Sequence, residues 1–499
     1  MDIQVKSGRI GAEMQGTMVV GLFEEDRLEE GSSPVLDPAL QRYLRSVLLC
    51  GDFKGKKNRL AVLYPSGAAA PARVVLVGLG AQEKFTPDTG RQAAGVAARK
   101  LALFGVKDFF STVHGLDLGR FAPEWCAQAT VEGAMLGGYS FNLYKSDPGT
   151  AVRLDTLTLM VSQRIGITTL RAGAETGRMA AEATILARDL SNTPGNDLTP
   201  SGLADMAAKM AKKNHLRCTV LTKNAIEKEG MGGLLAVSRG SEEPPRFIVL
   251  EYGEPAEKRD TLVFVGKGVT FDSGGVSIKP AERMEEMKHD MSGAAAVIGG
   301  LQAIAGTKPD VHVVGLIPAT ENLPSGSALK PGDVIRTLSG KTVEVINTDA
   351  EGRLILADAL TYAKRFNPVG VVDLATLTGA CVVALGHAAS GMMGNDPALM
   401  DAVRTAGETA GDRVWPLPVW EEHHELIDSH IADVKNTGGR WGGALTAGAF
   451  LEKFVDYPWV HLDIAGTAWI EKDGAYCPKG ATGAGVRLLV ELTRRWRKS

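Results

Sequence analysis

The sequence is poor in the features that mark several common protein classes. It has only five cysteines, Cys50, Cys126, Cys218, Cys381 and Cys477, in 499 residues. They are scattered, odd in number and without a CxxC pair, which excludes a disulfide framework or a Cys-rich zinc site and predicts reduced thiols. Charge of one sign is not in excess: the formal net charge is -3. That argues against a whole-molecule footprint for nucleic acid, although a local basic patch is compatible with it. The N-terminal stretch "MDIQVKSGRIGAEMQG" has no apolar run of signal-peptide type, so no leader is expected and a cytoplasmic location is. Leu374 to Asn395 contains no Asp, Glu, Lys or Arg, but His387, four glycines and three hydroxyl residues interrupt it. A membrane-spanning helix would be more uniformly apolar, and the stretch reads as a buried strand end and a glycine-rich loop.

Familiar catalytic signatures are missing too. No GxSxG occurs, so there is no serine-hydrolase elbow. "GKG" at Gly266 to Gly268 follows a strand, but Phe271 stands where a dinucleotide loop needs its third glycine. "GKT" at Gly340 to Thr342 lacks the first glycine of a phosphate loop and reads as a hairpin turn. "EEHHEL" at Glu421 to Leu426 is not HExxH, and its histidines read as a solvated surface pair.

What is present is ordinary globular composition, with 44% hydrophobic and 23% charged residues, in a chain longer than one core usually serves. The first third alternates short apolar runs with helical patterns. "TMVVGLF" (Thr17 to Phe23), "LAVLY" (Leu60 to Tyr64), "RVVLVGLG" (Arg73 to Gly80) and "RLDTLTLMV" (Arg153 to Val161) read as strands, and "RQAAGVAARKLALFG" as a helix. Met179, Ala183, Leu186 and Leu190 recur at helical spacing before "SNTPGNDLTP", a cluster that stops helices. Beyond it, "FIVLEY", "LVFVG", "VHVVGLI", "VGVVDLA" and "WVHLDI" are near-continuous apolar runs, as in strands covered on both faces. The reading is an α/β chain of two domains: a smaller N-terminal α/β domain over 1–165, a connecting helix over 166–190, and a larger catalytic α/β domain over 191–499 with a central mixed sheet flanked by helices.

The chemistry gathers in the second half. In "VEVINTDAEGRLILADAL", Val343 to Leu360, a strand-like run hands over to a helix through Asp349, Glu351 and Arg353. Upstream, "VGKGVTFDSGGVSIKP" carries Lys267, Asp272 and Lys279, and "MEEMKHDMSGAAAV" carries Asp290. Taken singly, each has a plain structural explanation. Asp349, Glu351 and Asp290 suit helix starts, Asp272 suits a turn beside Gly274 and Gly275, and the lysines suit a wet surface. Together, four carboxylates at strand ends and helix starts would repel one another unless cations lay between them, and two bridged divalent ions answer that need. Gly352 fits as a tight turn between Glu351 and Arg353.

These segments resemble the leucyl aminopeptidase (cytosol aminopeptidase) family, the M17 metallopeptidases. "NTDAEGRL" (Asn347 to Leu354) looks like the family signature, and "GKGVTFDSGGVSIKP", "MKHDMSGAAAV", "LATLTGA" and "HLDIAGTAW…KGATGAGVRLL" follow the family's order. "RDLSNTPGNDLTP" and "GGYSFNLYK" extend the resemblance over nearly the whole chain. The resemblance implies an aminopeptidase that releases leucine and other apolar residues from short peptides by attack of a dimetal-bridged hydroxide. It makes Asp272 and Glu351 the bridging ligands, Asp349 a ligand of one metal, and Lys267 and Asp290 ligands of the other. Lys279 would polarise the substrate carbonyl, and Arg353 would hold a bicarbonate general base. Met287, Thr376 and Gly379 would line the pocket for the first side chain. The implied ions are manganese or zinc, with magnesium as an alternative, and the implied assembly is a homohexamer, a dimer of trimers. Two other readings stand beside this one: a two-metal phosphoester hydrolase, and a hexameric nucleic-acid-binding protein with secondary peptidase activity.

Overall fold

Long apolar runs become strands and the amphipathic segments between them become the helices that cover the sheets. The structure is a computed structural model and describes all residues except 12–15, 30–32, 34, 66–70, 148–151, 163–165, 257–258 and 497–499. The chain divides into two compact units, Met1–Glu182 with Lys472–Lys479, and Ala183–Glu471 with Gly480–Ser499.

In the first unit, β1 (Asp2–Ser7), β2 (Thr17–Phe23), β3 (Leu60–Leu63), β4 (Arg73–Gly80), β5 (Asp108–Thr112) and β6 (Thr156–Val161) form a six-stranded sheet in the order β1-β6-β5-β2-β4-β3. Only the β3–β4 pair is antiparallel. Its helices are α1 (Pro38–Cys50), α2 (Pro87–Leu103) and α3 (Pro123–Gly137). Each has proline in its first turn, where the missing N–H costs nothing. Asp37 and Thr86 cap the first two with side-chain oxygens. The helix expected to join the domains runs longer than its periodic core, as α4 (Ile167–Asn192), and the division between units falls inside it. The eight-residue excursion Lys472–Lys479 belongs to the first unit, although it lies far inside the range expected for the catalytic domain.

The second unit holds α5 (Pro200–Lys213), β7 (Arg217–Leu221), α6 (Lys223–Glu229), α7 (Gly232–Ser238), β8 (Arg246–Tyr252), β9 (Thr261–Gly266), β10 (Gly268–Asp272), α8 (Ser292–Thr307) and β11 (His312–Asn322). Next come β12 (Val334–Arg336), β13 (Thr342–Glu344), α9 (Gly352–Ala363), β14 (Gly370–Ala375), α10 (Gly379–Leu385), β15 (Ser390–Gly394), α11 (Pro397–Ala410) and β16 (Val414–Pro416). The unit closes with α12 (Glu421–Glu425), β17 (Val434–Lys435), α13 (Gly443–Glu452), β18 (Trp459–Asp463), β19 (Trp469–Ile470), β20 (Gly480–Ala481) and α14 (Val486–Arg495).

Its main sheet runs β16-β15-β18-β14-β9-β11-β8-β7, with β10 paired to β11. The centre, β18-β14-β9-β11, is parallel, while β8, β7 and the β15–β18 pair are antiparallel, so the sheet is mixed as expected. β9, β11, β14 and β18 are buried along their whole length. Apolar clusters cover both faces, one built around α8, α11 and α14 and the other around α7, α9 and α13. The parallel strands therefore end together at one edge, where an open α/β sheet presents its ligand site.

Two local expectations need correction. The charge-free stretch after Leu374 is not a strand end and loop alone: Thr378 caps α10 and the chain then forms β15. Of the "EEHHEL" histidines, His423 stays at the surface, accepting the Trp420 N–H at 2.9 Å, but His424 is mostly covered and its Nε2 meets Glu452 at 3.0 Å. The "GKT" turn does close the β12–β13 hairpin. Among the described residues no helix is long and apolar enough to cross a membrane. Among the described residues, none of the five cysteines is in a disulfide.

Candidate active site

The expected chemical residues come from the carboxyl ends of β9 and β10 and from two links outside the main sheet, the turn into α8 and the β13–α9 link. Lys267 occupies the break between β9 and β10, its N–H donating to Leu374 O at 3.0 Å and its carbonyl accepting from Ala294 N at 2.9 Å. Asp272 ends β10 and accepts the Gly274 N–H at 2.9 Å. Gly274 has φ +88°, and a Cβ there would lie 2.9 Å from Asp349 Oδ1, so glycine serves both the turn and the close approach. Asp290 joins the 3-10 segment Met284–His289 to α8. Asp349 and Glu351 lie on the link from β13 to α9, and Asn436 fixes that link. Its Oδ1 accepts Ile346 N at 2.8 Å, and its Nδ2 donates to Asn347 O at 2.6 Å.

Gly352 has a different reason from the one expected. It is the first residue of α9, not a turn with positive φ, and a Cβ on it would come within 2.7 Å of the Lys267 side chain. The residue is small because a lysine must pass beside it. Nor does Glu351 act as a helix cap, since its side chain makes no capping hydrogen bond. It points at Lys267 instead.

The resulting cluster is tight. Lys267 Nζ lies 2.6 Å from Asp290 Oδ2 and 2.8 Å from Glu351 Oε1, and donates to Thr376 O at 3.0 Å. Lys279 Nζ bridges Asp272, at 2.7 Å, and Asp349. Asp272, Asp290 and Glu351 are all buried and offer oxygens within 4.8 Å of one another. Asn322 donates to Asp272 Oδ1 at 2.8 Å, and the Thr376 hydroxyl donates to Asp290 Oδ1 at 2.7 Å.

Burial pushes the Asp290, Glu351 and Asp349 carboxyls above their ordinary range, and the neighbouring Asp272 charge pushes the same way. Burial opposes the ammonium of Lys267, but Asp290, Glu351 and Asp272 outweigh it and hold the group above the usual lysine range. Lys279 is raised for the same reason, Asp272 being its strongest partner. Arg353 goes the other way: burial lowers it to about 10 against the pull of Glu351 and Asp463. Its Nη1 donates to Asn436 O at 2.7 Å, while its buried Nε has no hydrogen-bond partner.

A cavity of about 480 Å³ opens onto this cluster. Lys267, Asp272, Lys279, Asp290 and Asp349 line it, and so do Met287, Thr376 and Gly379. Glu351 and Arg353 are buried and do not line it. Asn322, Asn436 and Asp463 were missed by sequence reasoning. Asp463 accepts the Thr378 hydroxyl at 2.7 Å and the Leu377 N–H at 3.2 Å, shaping the loop that forms one wall. Asn322 and Asp463 did carry a signal, each being a polar residue that ends a buried apolar strand; Asn436 lies in a polar loop and carried none.

The donor set suits hard or borderline divalent ions. Asp290 Oδ2 and Asp349 Oδ1 each meet a lysine ammonium, yet neither receives a well-directed hydrogen bond. Buried carboxylate oxygens are normally satisfied, so these two retain lone pairs for a further ligand.

The catalytic-domain profile of the cytosol aminopeptidase family matches residues 185–490, and the family's N-terminal-domain profile matches 19–148. The chain belongs to the cytosol aminopeptidase family. As a member it is an enzyme of an aminopeptidase family, a hydrolase. A probable cytosol aminopeptidase of Geobacter sulfurreducens is 48% identical over 501 residues, covering 99% of each chain. Another from Roseiflexus castenholzii is 47% identical, again covering 99% of each. Among solved structures, a tomato leucine aminopeptidase mutant aligns with a TM-score of 0.88 at 34% identity, over 99% of this chain and 96% of that one. The bottromycin maturation enzyme BotP in complex with Mn aligns with a TM-score of 0.84 at 36% identity, over 96% and 98%. The family's two-domain α/β architecture is the one described above.

Proposed function

We propose that this family member removes N-terminal leucine and other apolar residues from short peptides, with two divalent ions held by Lys267, Asp272, Asp290, Asp349 and Glu351. The observation that carries the reading is the convergence of four carboxylates and two lysines in one cluster, all but Glu351 lining a cavity whose walls include Met287 and Gly379. Asp272 and Glu351 would be shared between the ions, Asp349 would serve one, and Lys267 and Asp290 the other. Manganese or zinc fits this set, with magnesium as an alternative. The BotP structure with Mn supports a metal site in this fold. Bound there, the ions supply Lewis acidity and make a coordinated water acidic enough to ionise near neutral pH.

The protein's own groups divide the remaining work. Lys279, charged and partly accessible at the cavity, is placed to hold the carbonyl oxygen as negative charge builds on it. Arg353, with its Nε–H unclaimed, is suited to hold a small anion, and bicarbonate in that place would supply a base. Lys267 can act as a ligand only as a neutral amine. Its carboxylate neighbours favour the ammonium, so ion binding must displace a proton from it. Met287 is half-buried beside Asp290, and a flexible thioether suits leucine and its near relatives.

The second unit also exposes large apolar side chains, among them Val383, Trp415, Trp420, Ile431 and Trp441. In our reading the protein is a homohexamer, a dimer of trimers, in the cytoplasm, and these side chains are available to its interfaces. The test is hydrolysis of leucyl anilide by dialysed protein with Mn²⁺, Zn²⁺ or Mg²⁺ restored in turn. Metal-dependent release of the aniline is expected. Cleavage of nitrophenyl phosphate with no release from the anilide would overturn the reading.

A further inference from the structure

Two segments face each other across the mouth of the cavity. One is Arg283 with the 3-10 segment Met284–His289, which carries Met287 and runs into Asp290. The other is β19 with Glu471 just beyond it. Arg283, Met287, Trp469 and Glu471 all line the cavity.

Arg283 holds a left-handed backbone, φ +63° and ψ +16°, which a side chain other than glycine adopts at a cost. Its guanidinium explains why the conformation is kept. Nη2 meets Glu286 Oε2 on its own segment at 2.9 Å, and Nη1 reaches across to Glu471 Oε1 at 2.6 Å. Behind this pair, Trp469 stacks on the buried His289 ring, with centroids 4.9 Å apart and planes 21° apart. Lys288 Nζ lies 5.9 Å from the same indole. The indole stack is a shielded contact, whereas the ion pair is half exposed: the side chains of Arg283 and Glu471 are 48% and 49% accessible. An ion pair this exposed is weak and screened by salt. It is therefore the contact that opens first, freeing the Arg283–Met287 end of the segment while His289 stays stacked on Trp469.

We propose that the Arg283–Glu471 pair is a latch that holds the Met287-bearing wall against β19 and so limits the size of the N-terminal side chain the cavity accepts. The latch rests on the reading that this cavity receives the first side chain of a peptide. Closed, it suits residues of leucine size. Opened, it lets the wall move outward and admits larger rings.

The test compares metal-loaded wild-type protein with Glu471→Gln, which keeps shape but removes charge, and Arg283→Gly, which removes the guanidinium and relieves the backbone. The substrates are alanyl, leucyl, phenylalanyl and tryptophanyl anilides. In both variants the ratio of kcat/KM for tryptophanyl over alanyl anilide should rise about two- to fivefold, the range an exposed ion pair can supply, with the change falling in KM. Raising salt from about 0.05 M to about 0.5 M should raise the same ratio in wild type and leave the variants unmoved. An unchanged ratio in both variants, or a salt response that persists in them, overturns the latch and leaves the aminopeptidase reading intact. Absence of anilide hydrolysis by the wild-type protein with every metal overturns both.

Discussion

Two buried ionic networks, one in each unit, look alike in composition and differ in how they are finished. In the first unit Arg91 Nε meets Glu132 Oε2 at 2.6 Å and Nη1 meets Asp88 Oδ1 at 2.8 Å. The second oxygen of Glu132 accepts from Gln128 at 2.9 Å and that of Asp88 from Gln92 at 2.6 Å. Tyr476 adds a further donor to Asp88 at 3.2 Å. Every carboxylate oxygen has a donor, and Arg91 is held above its ordinary range, burial being outweighed by Glu132 and Asp88. In the second unit four carboxylates gather around Lys267 and Lys279, and two of their oxygens stay without a directed hydrogen bond. The first network closes on itself and holds helices α2 and α3 together. The second leaves two oxygens at a cavity held by lysine charge alone, with no directed hydrogen bond. A buried charge cluster that is left incomplete is placed to bind something, and a complete one is placed to stabilise.

Single substitutions can break that contrast. The largest effect is expected from Glu351→Ala, which removes an oxygen donor shared by the proposed ions: activity should fall below detection, and one or both metals should be lost while the fold persists. Metal analysis and circular dichroism read the two halves of this statement, and full metal content would remove Glu351 from the ligand set. Glu132→Ala should do the reverse. It leaves Arg91 buried and short of a partner, costing about 3–5 kcal/mol of stability, while molecules still folded keep their metals and turnover. Chemical denaturation beside a metal assay checks it, and loss of metal without loss of stability would erase the distinction between the networks. Arg353→Ala tests the contrast most finely, because this residue is buried near the ligands but touches no proposed ion. Turnover should slow by about 10²-fold, the lower end for loss of a general base, with metal content unchanged. Loss of both metals in this variant would contradict the role assigned to it.

How far the site could be read in advance depended on where each group sits in its strand. Lys267, Asp272 and the Asp349–Glu351 pair stand where an apolar run breaks, and a charge at such a break is visible because burial of the run leaves it no exposed face. Asn436 is wholly buried and fastens the β13–α9 link, yet it comes from a polar loop with nothing to set it apart. Gly352 reads locally as a turn residue, because the Lys267 side chain it makes room for belongs to a distant segment. Nothing local to His424 reveals its partner, because Glu452 lies on a different helix.

The sequence by itself determined the strands and most of the helices, because alternation of apolar runs with periodic segments is a local property that burial enforces. It also determined which residue types stand at the strand ends, and so the chemistry on offer. Only the tertiary structure decided which of those groups meet: Lys267 with Asp290 and Glu351, Lys279 with Asp272 and Asp349, Arg283 with Glu471. It alone left Arg353 Nε without a hydrogen-bond partner, and Asp290 Oδ2 and Asp349 Oδ1 with an ammonium contact but no directed hydrogen bond. The reason is physical: pairing in a parallel sheet joins strands that are remote in the chain, and whether a buried oxygen is satisfied depends on donors from every strand and helix that converges on it.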